Sequence, residues 1–83
     1  MERTLEQLSS EIVEQVSTQL GITNAINLDD RLAKDLGADS IDIVELIMNV
    51  ERKYDVKLPE HETGEIKTVR DIVKHVYNAI NQK

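Results

Sequence analysis

Apolar residues recur at steps of three and four near the N-terminus of this chain, which is the spacing of one helix face. The members of this row are Leu5, Leu8, Ile12, Val16 and Leu20, and Val13 lies beside them. The row predicts an amphipathic helix of about four turns. Gly21 follows it directly and favours the left-handed conformation at which helices commonly end.

Residues 22–37 show no helical period and predict a long connection. Its Asn and Asp residues favour turns, and they alternate with apolar residues that are able to pin the segment to a core. These apolar residues are Ile22, Ile26, Leu28, Leu32 and Leu36. We therefore expect an ordered connection with one helical turn near Arg31.

A second helix is predicted to start at Asp39 or Ser40, because Asp39 is able to cap it and Asp42 follows three residues later. It is expected to run to about Tyr54. Its core face consists of Ile43, Leu46, Ile47, Val50 and Tyr54. After it, residues 60–65 predict one short helical turn.

Thr68 and Asp71 repeat the capping signature before the last predicted helix. One face of that helix carries Val69, Ile72, Val73, Val76 and Ile80. No segment alternates between apolar and polar residues as a strand does. The predicted fold is an all-α single domain over residues 1–83: a small four-helix bundle of three longer helices and one short helix, with a long connection between helices 1 and 2.

The second helix carries more apolar residues than one core face needs. Ile41, Val44 and Met48 form a second row, which is interleaved with acidic residues such as Asp42 and Glu45. An apolar row edged by acids indicates a docking surface. The alternative is that a central helix is buried on most sides and that the acids merely keep it soluble.

Charge and composition narrow the possible functions. The chain has 83 residues, a formal net charge of -6 and no Cys, so it has no disulfide and no thiol of its own. The stretch from Asp35 to Glu51 carries acids and no Lys or Arg. Such a surface repels nucleic acid and anionic lipid, and it favours basic protein partners. Without a signal peptide or a long apolar run, we expect a cytoplasmic protein that does not insert into membranes.

Ser40 is the candidate for covalent chemistry. A hydroxyl in the first turn of a helix lies beside unpaired N–H groups and the positive end of the helix dipole, where a phosphate ester is favoured. Gly37, just upstream, permits a positive φ angle. A serine at this place is usually a helix cap, but Asp39 is available for that role.

Residues 36–48, Leu-Gly-Ala-Asp-Ser-Ile-Asp-Ile-Val-Glu-Leu-Ile-Met, resemble the acyl carrier protein family around its modified serine. The likeness extends to Glu51, Tyr54, Leu58-Pro59, Ile66 and Thr68-Val69. It implies that a phosphopantetheinyl transferase moves 4′-phosphopantetheine from coenzyme A to Ser40. The thiol of the arm then holds acyl groups as thioesters for acyl-transferring and chain-modifying enzymes of fatty-acid or specialised lipid or polyketide synthesis.

The resemblance also implies that basic patches of partner enzymes dock on the second helix of a monomeric carrier. The docking residues would be Asp39, Ile41, Asp42, Val44, Glu45, Met48 and Glu51. The chain departs from the family at Ile41, where Leu is usual, and at Tyr54, where Phe is common. Arg52 and Lys53 place positive charge where fatty-acid carriers are often acidic, so partner choice is expected to differ.

Other residues point to no catalysis or metal binding. His61 and His75 form no Ser-His-Asp set or metal-ligand spacing, and Asp29, Asp30 and Asp35 lack the calcium-loop pattern. We therefore predict that the chain is not an enzyme. Two alternatives to the acyl carrier remain: a carrier of amino acids or another acyl class, and an unmodified interaction domain with Ser40 as a helix cap.

Overall fold

The computed structural model describes residues 4–59 and 63–82. Its helices are α1 (Leu5–Leu20), α2 (Ser40–Tyr54) and α3 (Val69–Asn81). Within these ranges the extended pairing is limited to an isolated antiparallel bridge between Arg31 and Thr68. The all-α prediction is confirmed for this part of the chain. Half of the short helix predicted over residues 60–65, residues 60–62, lies outside the described ranges, and this helix is not confirmed.

Each helix begins at a capping box, in which a side chain and a backbone N–H group bond reciprocally. The paired residues are Thr4 with Gln7, Asp39 with Asp42, and Thr68 with Asp71. The second and third pairs confirm the helix starts predicted from the sequence. Gly21 adopts a left-handed conformation with φ 68 and ends α1, also as predicted.

The core lies where α1 packs against both α2 and α3. Its largest fully buried side chains are Leu8, Ile12, Val16, Leu32, Leu46, Val50, Val69, Ile72 and Val76. Leu5 was predicted on the same face as Leu8 but is 50% exposed. Leu5 is exposed because it is the first residue of α1, at the edge of the core.

The connection over residues 22–37 is fastened to the segment that precedes α3. Leu32 is fully buried, and its N–H donates to the carbonyl of Lys67 at 2.9 Å. The Asp35 N–H donates to the Arg31 carbonyl at 2.9 Å, which is the bond of a helical turn. The ordered connection and its turn near Arg31 are confirmed. No helix in the described ranges has the length and apolar content that a membrane crossing needs.

Candidate functional site

Ser40 is the first residue of α2, and it is exposed. Gly37 turns the chain with φ 73, a conformation that favours glycine. Ala38 is then buried in the core with 5% exposure, and Asp39 is extended with φ -88 and ψ -180. This path anchors the chain two residues before Ser40 and leaves the serine at the surface.

Asp39, and not Ser40, caps α2. The Asp39 Oδ1 atom accepts the N–H of Asp42 at 2.8 Å, and the Asp42 Oδ2 atom accepts the N–H of Asp39 at 3.1 Å. Within the described ranges no hydrogen bond uses the Ser40 hydroxyl. The alternative in which Ser40 serves as the helix cap is therefore wrong, and its oxygen is accessible for modification.

The surroundings of Ser40 fit a phosphate ester. The first backbone bond of α2 joins the Ile43 N–H to the Asp39 carbonyl at 3.1 Å, so the N–H groups of Ser40 and Ile41 precede the helical ladder. N–H groups at this end of a helix favour a bound anion, and the effect decays within the first turn. Ser40 lies inside that turn.

An exposed apolar row runs along α2 from Ser40 toward the helix C-terminus. Ile41 is 67%, Val44 55% and Met48 50% exposed, and we call these three residues the α2 strip. Glu45 is exposed among them. The alternative that a central helix is buried on most sides is wrong for this face, because Leu46 and Val50 fill the core from the opposite side.

Glu51 has a structural bond that the sequence did not reveal. It is half-buried, and its Oε2 atom accepts the N–H of Leu58 at 2.7 Å. This bond fastens the segment after α2 back onto the helix, seven residues upstream. A carboxylate seven residues before a Leu-Pro pair has no sequence signature, so only the folded geometry shows this role.

An open groove lies beside the α2 strip, between α2 and the segment that Glu51 fastens. Its volume is ≈ 370 Å³. The residues that line it are Val44, Ile47, Met48, Glu51, Lys57, Leu58, Pro59 and Thr63. The groove is therefore mostly apolar, with one carboxylate and one ammonium group at its rim.

Three polar contacts hold α2 against α1. Gln19 donates to the Asp42 carbonyl at 3.4 Å, and Asn49 donates to the Gln19 side-chain oxygen at 2.8 Å. The Tyr54 ring is buried, and its hydroxyl donates to Glu11 at 2.9 Å. A buried tyrosine hydroxyl needs a polar partner, and Tyr54 has one inside the protein.

Two of the three acids of the connection, Asp29 and Asp35, have basic partners. Asp29 pairs with Arg70 at 2.8 Å, and the hydrogen bond from this guanidinium lowers the pKa of Asp29. Asp35 pairs with Arg31 at 3.2 Å, which lowers the pKa of Asp35 in the same way.

His75 is half-buried on α3, and His61 lies outside the described residues. Among the described residues, no cluster of three or more His, Cys, Asp or Glu side chains has the geometry of a metal site.

Comparisons with known proteins identify the family of this chain. The family described as phosphopantetheine attachment site matches residues 10–76. An acyl carrier protein of Helicobacter hepaticus is 38% identical over 88% of this chain and 92% of its own length.

Solved structures give the same result for the fold. An acyl carrier protein of Thermotoga maritima superimposes with a TM-score of 0.80 at 25% identity, covering 94% of this chain and 92% of its own. The hexanoyl form of the acyl carrier protein from the actinorhodin polyketide synthase of Streptomyces coelicolor gives 0.70 at 25% identity, over 95% and 92%. The chain therefore belongs to the acyl carrier protein family, and its function is that of a phosphopantetheine-dependent carrier of acyl groups.

Proposed function

We propose that Ser40 is the attachment site of 4′-phosphopantetheine, and that the chain presents thioester-bound acyl groups to enzymes of fatty-acid or specialised lipid or polyketide synthesis. One observation carries the assignment of the site. The Ser40 hydroxyl is exposed in the first turn of α2, while Asp39 performs the capping role that would otherwise occupy it.

Loading requires a transferase and coenzyme A. The Ser40 oxygen bonds to the phosphorus that bears the pantetheine arm, the pyrophosphate bond of coenzyme A breaks, and adenosine 3′,5′-bisphosphate leaves. The hydroxyl proton passes to a base of the transferase. Once attached, the arm supplies the thiol that this chain lacks and holds an acyl group as a thioester.

The chain's own residues orient the attachment site and offer a surface for partners. The capping box holds the first turn of α2, and Gln19 ties the Asp42 carbonyl of that turn to α1. The proposed contacts of partner enzymes are Asp39, Ile41, Asp42, Val44, Glu45, Met48 and Glu51. Glu51 contributes less than the exposed Glu45, because it is half-buried and its carboxylate already accepts the N–H of Leu58.

Catalysis in this proposal belongs to the partner enzymes, and the carrier is their substrate. The carrier is a monomeric single domain over residues 1–83 that works in the cytoplasm. The cargo is an acyl group and not an amino acid, since the carriers to which the chain is similar are acyl carrier proteins.

Intact-mass measurement tests the site directly. The protein is incubated with coenzyme A and a phosphopantetheinyl transferase, and we expect a mass gain of one phosphopantetheine group. Ser40→Ala abolishes this gain, whereas Ser10→Ala, which removes an exposed hydroxyl from α1, leaves it unchanged. An unmodified wild type, or a gain that persists in Ser40→Ala, would refute the assignment.

A further inference from the structure

The charge of the α2 face changes sign along its length. Between Asp39 and Glu51 the chain has acidic residues and no basic ones. From Arg52 to Lys57 it has three basic residues, and Asp55 is the one acid among them. The carboxylate of Glu51, which lies at the boundary, accepts a hydrogen bond from the backbone of Leu58.

Arg52 lies on the same face of α2 as the α2 strip. It follows Met48 by four residues and Ile41 by eleven, and both spacings return to one side of an α-helix. Its side chain is exposed, and no ion pair or hydrogen bond between described residues uses its guanidinium. The strip therefore has carboxylates at its Ser40 end and a guanidinium at its other end.

Lys53 has the same charge but lies on another face. It is turned by about 100° from Arg52, and it borders a groove of ≈ 430 Å³ between α1 and α2 together with Gln19 and Asn49. Its ammonium group lies 5.6 Å from the centroid of the Tyr54 ring. Both bases are in the last turn of α2, where either one complements the helix dipole. The helix dipole favours both bases, so it does not explain why Arg52 lies on the face of the α2 strip.

Lys57 is a second exposed base, in the segment that follows α2. It lines the groove beside the α2 strip together with Val44 and Met48. A partner that covers the α2 strip and this groove would thus meet the positive charges of Arg52 and Lys57 away from Ser40. Arg52 lies about 18 Å along the helix from Ser40.

We propose that the α2 strip selects a partner surface with an apolar centre, a basic group facing Asp39, Asp42 and Glu45, and a carboxylate facing Arg52. This proposal rests on the proposed function and specifies its partner. A strip with acids at both ends would accept a uniformly basic surface in either direction. Arg52 repels such a surface and fixes one direction of docking, so that the arm on Ser40 points to one end of the partner.

Two synthetic amphipathic helical peptides of identical composition test this proposal. The segregated peptide has its lysines at one end and its glutamates about 18 Å away, while the interleaved peptide alternates them along the same polar face. NMR titration of the ¹⁵N-labelled protein gives a Kd for each peptide. We expect the wild type to bind the segregated peptide about 2- to 5-fold more tightly, the effect of one exposed ion pair, with shifts along Ile41 to Arg52.

Two variants with the same change in net charge test whether the position of the positive charge determines the peptide preference. Arg52→Glu should remove or reverse the preference for the segregated peptide, whereas Lys53→Glu, with the same charge change one residue away, should keep it. Equal Kd values for the two peptides with the wild type, no saturable shifts on α2, or equal effects of the two variants would overturn the proposal. Thermal unfolding of both variants verifies that they fold.

Failure of this docking proposal is distinguishable from failure of the proposed carrier function. The same wild-type sample is incubated with coenzyme A and a phosphopantetheinyl transferase, and its intact mass is measured. If Ser40 is modified but the peptide preference is absent, only the directional partner is refuted. If Ser40 is not modified, the carrier site itself is refuted, whatever the peptides show.

Discussion

Tyr54 shows how one residue joins core packing to a polar contact. Its ring is 8% exposed at the end of α2, and its hydroxyl donates to a carboxylate oxygen of Glu11 on α1 at 2.9 Å. A buried hydroxyl without a partner would destabilise the fold. The bond therefore permits a tyrosine at this position, and it links the end of α2 to the middle of α1.

Removing this hydroxyl tests its contribution. Tyr54→Phe keeps the ring and loses the hydrogen bond, so we expect the free energy of unfolding to fall by about 1 kcal/mol. In a domain of this size that corresponds to a decrease in Tm of roughly 4–8 °C. Differential scanning calorimetry measures the change.

Tyr77→Phe is the matched control, because Tyr77 is the other tyrosine of the chain and is only partly buried on α3. We expect it to change Tm by less than Tyr54→Phe does. Equal decreases in the two variants would show that the bond to Glu11 makes no specific contribution.

At the scale of the helix, the capping box of α2 combines folding with function. Asp39 satisfies the N–H of Asp42, and its negative charge lies beside Ser40 at the acidic end of the α2 strip. A substitution that removes both properties cannot separate them. Asparagine is as good an N-cap as aspartate but is uncharged. Asp39→Asn therefore removes the negative charge and keeps the cap.

We expect Asp39→Ala to lower the free energy of unfolding by about 1 kcal/mol, because the N–H of Asp42 loses its acceptor. Asp39→Asn should restore most of this stability. In the NMR titration with the segregated peptide, however, both variants should bind more weakly than the wild type, because both lack the charge. Tight binding by Asp39→Asn would contradict a role of this charge in docking.

Local signals in the sequence predicted much of the helix layout. The capping pairs placed the starts of α2 and α3, Gly21 placed the end of α1, and the surplus apolar row on α2 indicated an exposed face. These features act over three or four residues, so their spacing is visible in the chain itself.

The contacts that the sequence did not predict join residues far apart in the chain. Asn49 donates to Gln19 across thirty positions and Tyr54 to Glu11 across forty-three. The Glu51 bond to the backbone of Leu58 spans only seven positions, but it depends on how the chain folds back after α2. No local rule identifies such partners, since each polar side chain has many acceptable ones until the helices are packed.

At the scale of the whole molecule, carboxylates stabilise the connection, the start of α3 and the contact between them. Asp29 bonds to Arg70 on α3, and Asp35 closes the helical turn at Arg31. Asp71 accepts the N–H groups of Lys67 and Thr68 at the start of α3. One of these acids thus joins the connection to α3, and the other two stabilise a local turn and a helix start.

These bonds make folding dependent on pH. Desolvation opposes ionisation of Asp71, but the hydrogen bonds from Lys67 and Thr68 outweigh it and lower the pKa of Asp71 below its ordinary 3.8. The pKa values of Asp29 and Asp35 are lowered as well, by their hydrogen bonds to arginine. Below about pH 4 the unfolded chain therefore binds more protons than the folded one. The free energy of unfolding decreases as the pH is lowered through this range.

Thermal unfolding followed by circular dichroism between pH 7 and pH 2 measures this dependence. We expect the Tm of the wild type to be nearly constant above pH 5 and to fall progressively below about pH 4, as the three acids are protonated through their lowered pKa values. Asp71→Asn should be less stable at neutral pH and should lose less Tm on acidification, because one of the three groups no longer titrates. Glu65→Gln removes an exposed carboxylate and none of these bonds, so its acid dependence should match the wild type. Identical pH profiles for Asp71→Asn and the wild type would show that this cap does not link proton binding to folding.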